Sequence, residues 1–115
     1  MKKFALFVFN DDPMCFIHVL LNALDMKAKG HEAKIIMEGI SVKLIPELVK
    51  PGMPLNGLWK KNLEVGLVAG VCKACSNKLG TLEAAKEQGL SILDDMSGHP
   101  SMAAYQDKEY QIITF

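Results

Sequence analysis

The sequence has little that would draw it to a membrane or to nucleic acid. Its 115 residues carry 13 basic and 13 acidic side chains, so no net charge attracts an anionic surface. No apolar run reaches the length of a membrane-spanning helix, and the opening FALFVF is too short and lacks the cleavage-site pattern of a signal peptide. We therefore expect a cytoplasmic protein that contacts neither a membrane nor nucleic acid directly.

The sequence also lacks the common catalytic motifs. It contains no Gly-rich phosphate loop of the Walker or dinucleotide type, and no nucleophile-elbow sequence that would indicate a Ser–His–Asp arrangement. The three cysteines are an odd number, and a reducing compartment would keep them as thiols, so a structural disulfide framework is not expected. Each cysteine is therefore either a small buried side chain or a chemically active one.

Apolar runs alternate with amphipathic or polar segments along the chain. The runs predict five strands, at Lys3–Phe9, Ala33–Met37, Gly66–Cys72, Leu90–Leu93 and Tyr110–Thr114. Helices are predicted between them, the first capped by Asp12 with Pro13 in its first turn. This alternation predicts one α/β domain over residues 1–115, a flavodoxin-like three-layer α/β/α sandwich with a mainly parallel sheet.

The residues suited to chemistry follow the predicted strands. In a parallel α/β sheet, functional groups gather at the carboxyl ends of the strands. The loops at that edge are NDDPMC, GVCKACSNK and DDMSGHPSM, and every cysteine and two of the three histidines lie in or next to them. We expect the functional site at this edge.

A metal site is one interpretation of the cysteines. Cys15 and His18 are three residues apart on one helix face, and Cys72 and Cys75 have the same spacing. If the first and third strands are neighbours, these four side chains face each other and can hold zinc tetrahedrally. Against this, a histidine within an apolar helix more commonly hydrogen-bonds a backbone group.

Thiol chemistry is the other interpretation. A Cys-x-x-Cys at the end of a strand is typical of redox sites, where Lys73, Lys78 and a helix dipole would lower the pKa of Cys72. The same thiolate would suit a persulfide carrier, and the spacing does not separate the two. His99 is interpreted as an acid–base group near the cysteines or, more simply, as a capping residue together with Ser97.

The order of elements resembles the DsrE-like family of small sulfur-relay proteins over nearly the whole chain. The resemblance is carried by GVCKACSNKLG after the third strand and by FALFVFNDDP before a long apolar helix. It implies a trimer or hexamer in which the cysteine after this strand accepts and hands on sulfur. By position that role falls on Cys72, with Cys75 as the second thiol of a two-cysteine branch. Cys15 and the segment SGHPSM do not match the family pattern.

The preferred hypothesis is an intracellular, sulfurtransferase-like sulfur relay. Cys72 would hold a persulfide without a cofactor, in a homo-oligomer that exchanges sulfur with donor and acceptor proteins. Asp11, Cys15 and His99 are expected to line the same pocket as the Cys72–Cys75 pair. Two alternatives stay open: a module that binds zinc through the four ligands above, and a thiol–disulfide redox protein.

Overall fold

A five-stranded parallel sheet organises the chain. The structure, a computed structural model, describes all residues from 1 to 115. The strands lie in the order β4-β3-β2-β1-β5, and every neighbouring pair is parallel. Their bounds are β1 Lys3–Val8, β2 Glu32–Met37, β3 Val68–Cys72, β4 Ile92–Leu93 and β5 Gln111–Thr114. The predicted α/β fold with a parallel sheet is confirmed.

Six α-helices connect the strands, and one 3-10 helix, Gly39–Leu44, follows β2 directly. They are α1 Pro13–Ala28, α2 Ile45–Leu48, α3 Asn56–Glu64, α4 Lys73–Lys78, α5 Leu82–Glu87 and α6 Met102–Asp107. Helix α1 begins as predicted, because the Asp12 side chain accepts a hydrogen bond from the Met14 N–H. None of the helices is both long enough and apolar enough to cross a membrane.

The start of α6 differs from the prediction. Its N-cap is Ser101, whose side chain accepts the Ala104 N–H, so the expectation that Ser97 or His99 caps this helix is wrong. The difference matters because it leaves His99 free for another role.

The sheet buries both of its faces, which explains the nearly continuous apolar runs of its strands. Leu6 and Val8 of β1 belong to a cluster of 18 buried residues beneath α1, α2, α3 and α5, in which Trp59 is fully buried. Ala5 and Phe7 face the opposite side, where Tyr105 of α6 packs edge-on against Phe7 with ring centroids 5.6 Å apart. Helices therefore cover both faces, as a three-layer sandwich requires.

The strand order corrects one premise of the zinc hypothesis. Strand β2 lies between β1 and β3, so the first and third strands are not neighbours.

Strand β3 is irregular at Gly70, where its register with β2 shifts and the backbone takes a φ of +154°. A Cβ at Gly70 would overlap the Ser91 carbonyl oxygen and lie 2.9 Å from Leu93 Cγ, so only glycine lets β4 approach here.

Candidate functional site

Two thiols and one imidazole meet at the carboxyl edge of the sheet. Cys72 is the last residue of β3, Cys75 lies one turn into α4, and His99 follows β4. His99 Nδ1 lies 3.2 Å from Cys72 Sγ and 3.9 Å from Cys75 Sγ. These three ligand atoms all lie within 4.8 Å of one another, and we call them the Cys–Cys–His cluster.

The backbone supports both sulfur atoms. Cys72 is the N-cap of α4, and its Sγ accepts the N–H of Cys75 at 3.4 Å, in the place where a Ser or Asp oxygen commonly serves. The Gly39 N–H donates to Cys75 Sγ at 3.3 Å, and Gly39 presents it from a turn with a φ of +57°. Hydrogen bonds of this kind favour negative charge on sulfur.

Backbone hydrogen bonds also hold the loop that carries His99. Met96 and His99 exchange both backbone N–H···O bonds, at 2.7 and 2.9 Å. The Ala74 N–H donates to the Gly98 carbonyl at 2.9 Å, which ties the loop to α4. The imidazole is therefore held beside the cysteines although 41% of its side chain is exposed.

Glu38 is a member of the site that sequence reasoning missed. It follows β2 directly, and its Oε1 lies 3.7 Å from His99 Nδ1 with only 10% of its side chain exposed. Burial raises the pKa of this carboxyl above its ordinary value, although the nearby His99 works in the opposite direction. A single acidic residue after a strand carries no motif, so its position at the same sheet edge was the one available signal.

The protonation of Cys72 differs from the prediction. Burial is the main cause that raises the pKa of its thiol to about 12; the Cys75 N–H bond lowers this pKa, while the Cys75 thiol and the Glu38 charge raise it. Lys73, which was expected to help hold a thiolate, lies 3.7 Å from Asp94 instead, in an ion pair with half-exposed side chains. In the absence of a metal, Cys72 is therefore a neutral, buried thiol rather than an activated one.

Three other predicted site residues lie apart from the cluster. Cys15 and His18 are exposed on α1 and are not among the clustered donors, so the predicted four-ligand zinc set is wrong. Asp11 lines a separate cavity of about 400 Å³ and pairs with Lys43 at 4.0 Å. The predicted pocket shared by Asp11, Cys15 and His99 is not formed, because only His99 reaches the cysteines.

Known proteins resemble this chain in sequence and in fold. No family model matches it. The uncharacterized protein MJ0733 of Methanocaldococcus jannaschii is 35% identical over 97 residues, which are 84% of this chain and 77% of that protein. An uncharacterized protein of Archaeoglobus fulgidus is 50% identical over 38 residues, 33% of this chain and 62% of that protein.

The conserved protein of unknown function BT1422 from Bacteroides thetaiotaomicron is a structural neighbour. Its structure matches with a TM-score of 0.65 and 18% identity, covering 96% of this chain and 94% of that one, which shows a shared fold alone. The identity to MJ0733 is higher, at 35% over most of both chains, compared with 18% for BT1422. The chain belongs to the same protein family as MJ0733 of Methanocaldococcus jannaschii.

Proposed function

We propose that this protein is a sulfur-relay protein whose Cys72–Cys75 pair carries sulfur as a persulfide. The observation that supports it is the meeting of two thiols and an imidazole within 4.8 Å of one another at the carboxyl edge of the sheet. Persulfide transfer needs a thiol that can be deprotonated and a group that takes its proton, and it needs no cofactor. The resemblance to DsrE-like proteins points to the same chemistry.

Cys75 is the better first acceptor. Cys72, the acceptor expected from the resemblance, is fully buried and has a raised pKa, whereas Cys75 is partly exposed. His99 removes the Cys75 proton, and the thiolate attacks the outer sulfur of a donor persulfide R–S–SH. A new S–S bond forms on Cys75 while the donor S–S bond breaks, and the leaving thiolate RS⁻ takes the proton from His99. Sulfur moves without net oxidation or reduction.

The partners in this proposal are a sulfur donor and a sulfur acceptor protein in the reducing cytoplasm. The assembly proposed is a homo-oligomer, a trimer or hexamer, as in the family it resembles. Ile40 and Met96 support contacts with proteins, since they are 50% and 51% exposed and lie near members of the site in the chain: Ile40 follows Gly39 in the 3-10 helix, and Met96 lies three residues before His99.

Sulfur uptake tests the proposal directly. The protein is incubated with glutathione persulfide and its intact mass is measured after denaturation, in a Cys15→Ser background that removes the exposed cysteine outside the cluster. We expect one added sulfur atom on Cys75, removed by a reductant, absent in Cys75→Ser and retained in Cys72→Ser. Uptake no greater than that of a variant carrying both Cys72→Ser and Cys75→Ser would overturn the relay. Loss in Cys72→Ser with retention in Cys75→Ser would overturn only the assignment of Cys75 as the first acceptor.

A redox function makes a different prediction for the same pair. The two sulfur atoms lie within 4.8 Å of each other, and a disulfide would require them to approach to about 2.05 Å. A Cys72–Cys75 disulfide that forms with glutathione disulfide alone, reverses with a dithiol, and appears without sulfur uptake from a persulfide would replace the relay with a thiol–disulfide redox role.

Metal binding is the second candidate function, and the geometry of the cluster favours it. In a tetrahedral zinc site, Zn–S bonds of about 2.3 Å and Zn–N bonds of about 2.0 Å put sulfur and nitrogen roughly 3.5 Å apart. The two S···N distances here, 3.2 and 3.9 Å, lie on either side of that value. Zinc bound by Cys72, Cys75 and His99 would also hold both sulfurs as thiolates, for which their N–H hydrogen bonds are suited.

Zinc binding is tested by native mass spectrometry of the reduced protein. We expect one zinc per chain, lost in Cys75→Ser and in His99→Ala, and unchanged in Cys15→Ser and His18→Ala. The last two variants are matched controls, because they remove the same residue types from exposed positions outside the cluster. Zinc retained in His99→Ala would exclude the imidazole as a ligand.

A further inference from the structure

The cluster offers three metal donors and not four. No other His, Cys, Asp or Glu side chain joins Cys72, Cys75 and His99 at ligand distance. Structural zinc sites close with four protein ligands, whereas sites that bind an exchangeable ligand keep three and leave the fourth position open. A Cys₂His donor set is one of the known open sets.

The three donors of the cluster differ in their exposure to solvent. Cys72 is fully buried at the end of β3, Cys75 is partly exposed on α4, and the His99 side chain is 41% exposed. A metal among these atoms would therefore be reached from solvent past His99 and Cys75, the two donors that have exposed surface.

Glu38 lies next to this open position without completing the donor set. Its Oε1 is 3.7 Å from His99 Nδ1, but the carboxylate is outside the group of atoms that lie within 4.8 Å of one another. Ser41 Oγ donates to the Glu38 carbonyl at 2.7 Å, and the Glu38 N–H donates to Val8 O at 2.8 Å, so its backbone is fixed. A buried carboxylate in this place accepts a hydrogen bond from a ligand that carries a proton.

Resting on the metal-binding candidate, we propose that the Cys–Cys–His cluster is an open metal site whose fourth ligand is exchangeable. With a metal bound, water would occupy that position at rest, and a small thiol would displace it as its thiolate, with the thiol proton released to solvent. Glu38 would accept a hydrogen bond from the bound water and so act as a positioning residue rather than as a metal ligand. A soft thiolate environment with one free position suits a thiophilic divalent ion such as zinc, and it suits a sulfur-containing ligand on that ion.

Cobalt(II) is the probe for this proposal, because its absorption spectrum reports both thiolate ligation and coordination number. The full chain, kept reduced with a phosphine and carrying Cys15→Ser, is titrated with Co²⁺ and then with 2-mercaptoethanol. We expect one equivalent of cobalt with thiolate charge-transfer bands, followed by a saturable change in the visible d–d bands as the thiol binds. In Glu38→Gln we expect the cobalt spectrum to persist and thiol affinity to rise severalfold, because the bound thiolate no longer lies near the Glu38 charge and no longer displaces a water held by that carboxylate. Glu64→Gln, an exposed acid at the end of α3, is the matched control and should leave both unchanged.

Each alternative gives its own result. If no charge-transfer bands appear, the metal-binding candidate itself fails. If the bands appear but thiol leaves the d–d region unchanged at all concentrations, the site is closed and the open-site proposal is overturned. A change of the thiol-free cobalt spectrum in Glu38→Gln would identify Glu38 as the fourth ligand, which overturns the proposal in a different way.

Discussion

The raised pKa of Cys72 predicts that its thiol is alkylated slowly in the metal-free protein, and the size of this effect follows from the pKa. With a pKa of about 12 instead of 9.0, its thiolate fraction at pH 8 falls about 1000-fold. Thiolates of higher pKa are intrinsically more nucleophilic. With a Brønsted coefficient of about 0.4–0.5, each Cys72 thiolate reacts roughly 20-fold faster, which offsets part of the smaller thiolate fraction. We therefore expect alkylation of Cys72 to be about 50-fold slower in the folded chain than in the unfolded chain, before any further protection by burial.

The dependence on pH separates the pKa from simple protection. The Cys15→Ser protein, treated with a chelator, is alkylated with iodoacetamide in buffer and in urea, and the label on the Cys72 peptide is followed by mass spectrometry. Burial alone would scale the rate at every pH by the same factor. A pKa of about 12 requires the folded-state rate to rise about tenfold per pH unit from pH 8 to 10, where the urea-unfolded rate already levels off.

A folded-state rate that levels off below pH 9 would refute this reasoning. It would mean that Cys72 is a thiolate near neutral pH, as the lysines and helix dipole first suggested, and it would return the first sulfur acceptor to Cys72.

Two further predictions concern stability. Gly70→Ala should lower the free energy of unfolding by about 2–5 kcal/mol, because the backbone would be strained and the new Cβ would overlap β4. The control Gly66→Ala should lower it by about 1 kcal/mol, because Gly66 also has a positive φ but no atom lies within 4 Å of its Cβ position. Equal losses for the two variants in urea unfolding would contradict the overlap. Folding raises the pKa of Glu38, so ionisation of this carboxyl destabilises the folded protein. Stability is therefore lost as the pH rises from the ordinary pKa of Glu38 through its folded-state pKa. Glu38→Gln should therefore stabilise the reduced, metal-free protein at pH 7.5 and not at pH 3.5, and a loss at pH 7.5 would show that the carboxylate is stabilising.

The first strand and helix were predictable because local rules fix them. The nearly continuous apolar run Lys3–Phe9 indicates a buried strand. Asp12 followed by Pro13 supplies both an N-cap and a residue suited to the first helical turn. Helix α4, expected after the third strand only from the Cys-x-x-Cys, has weaker local signals. It has six residues, mostly polar or small, and its cap is a cysteine, which is not a usual capping residue.

Strand order was the part of the fold that no local pattern contained. Periodicity identifies strands, but which strands become neighbours depends on where each crossover places the next one. The hypothesis that β1 lies beside β3 brought Cys15 and His18 toward Cys72. The observed order interposes β2, and at about 4.8 Å per strand this separates β1 from β3 by roughly 10 Å. The edges of a tetrahedral zinc site are less than half that length.

The same order explains why Glu38 belongs to the site. Strands β2, β3 and β4 are consecutive neighbours, and the residues that follow them are Glu38, Cys72 with its helix, and the loop of His99. Each of the three groups is unremarkable in the sequence without the other two, since a lone Glu, a lone Cys-x-x-Cys and a lone His each have a structural role available. Once the order of the sheet is known, their convergence follows from the common direction of parallel strands. The candidate site is thus formed at three adjacent strand ends, and the sequence identified two of them, those of Cys72 with Cys75 and of His99, but not that of Glu38.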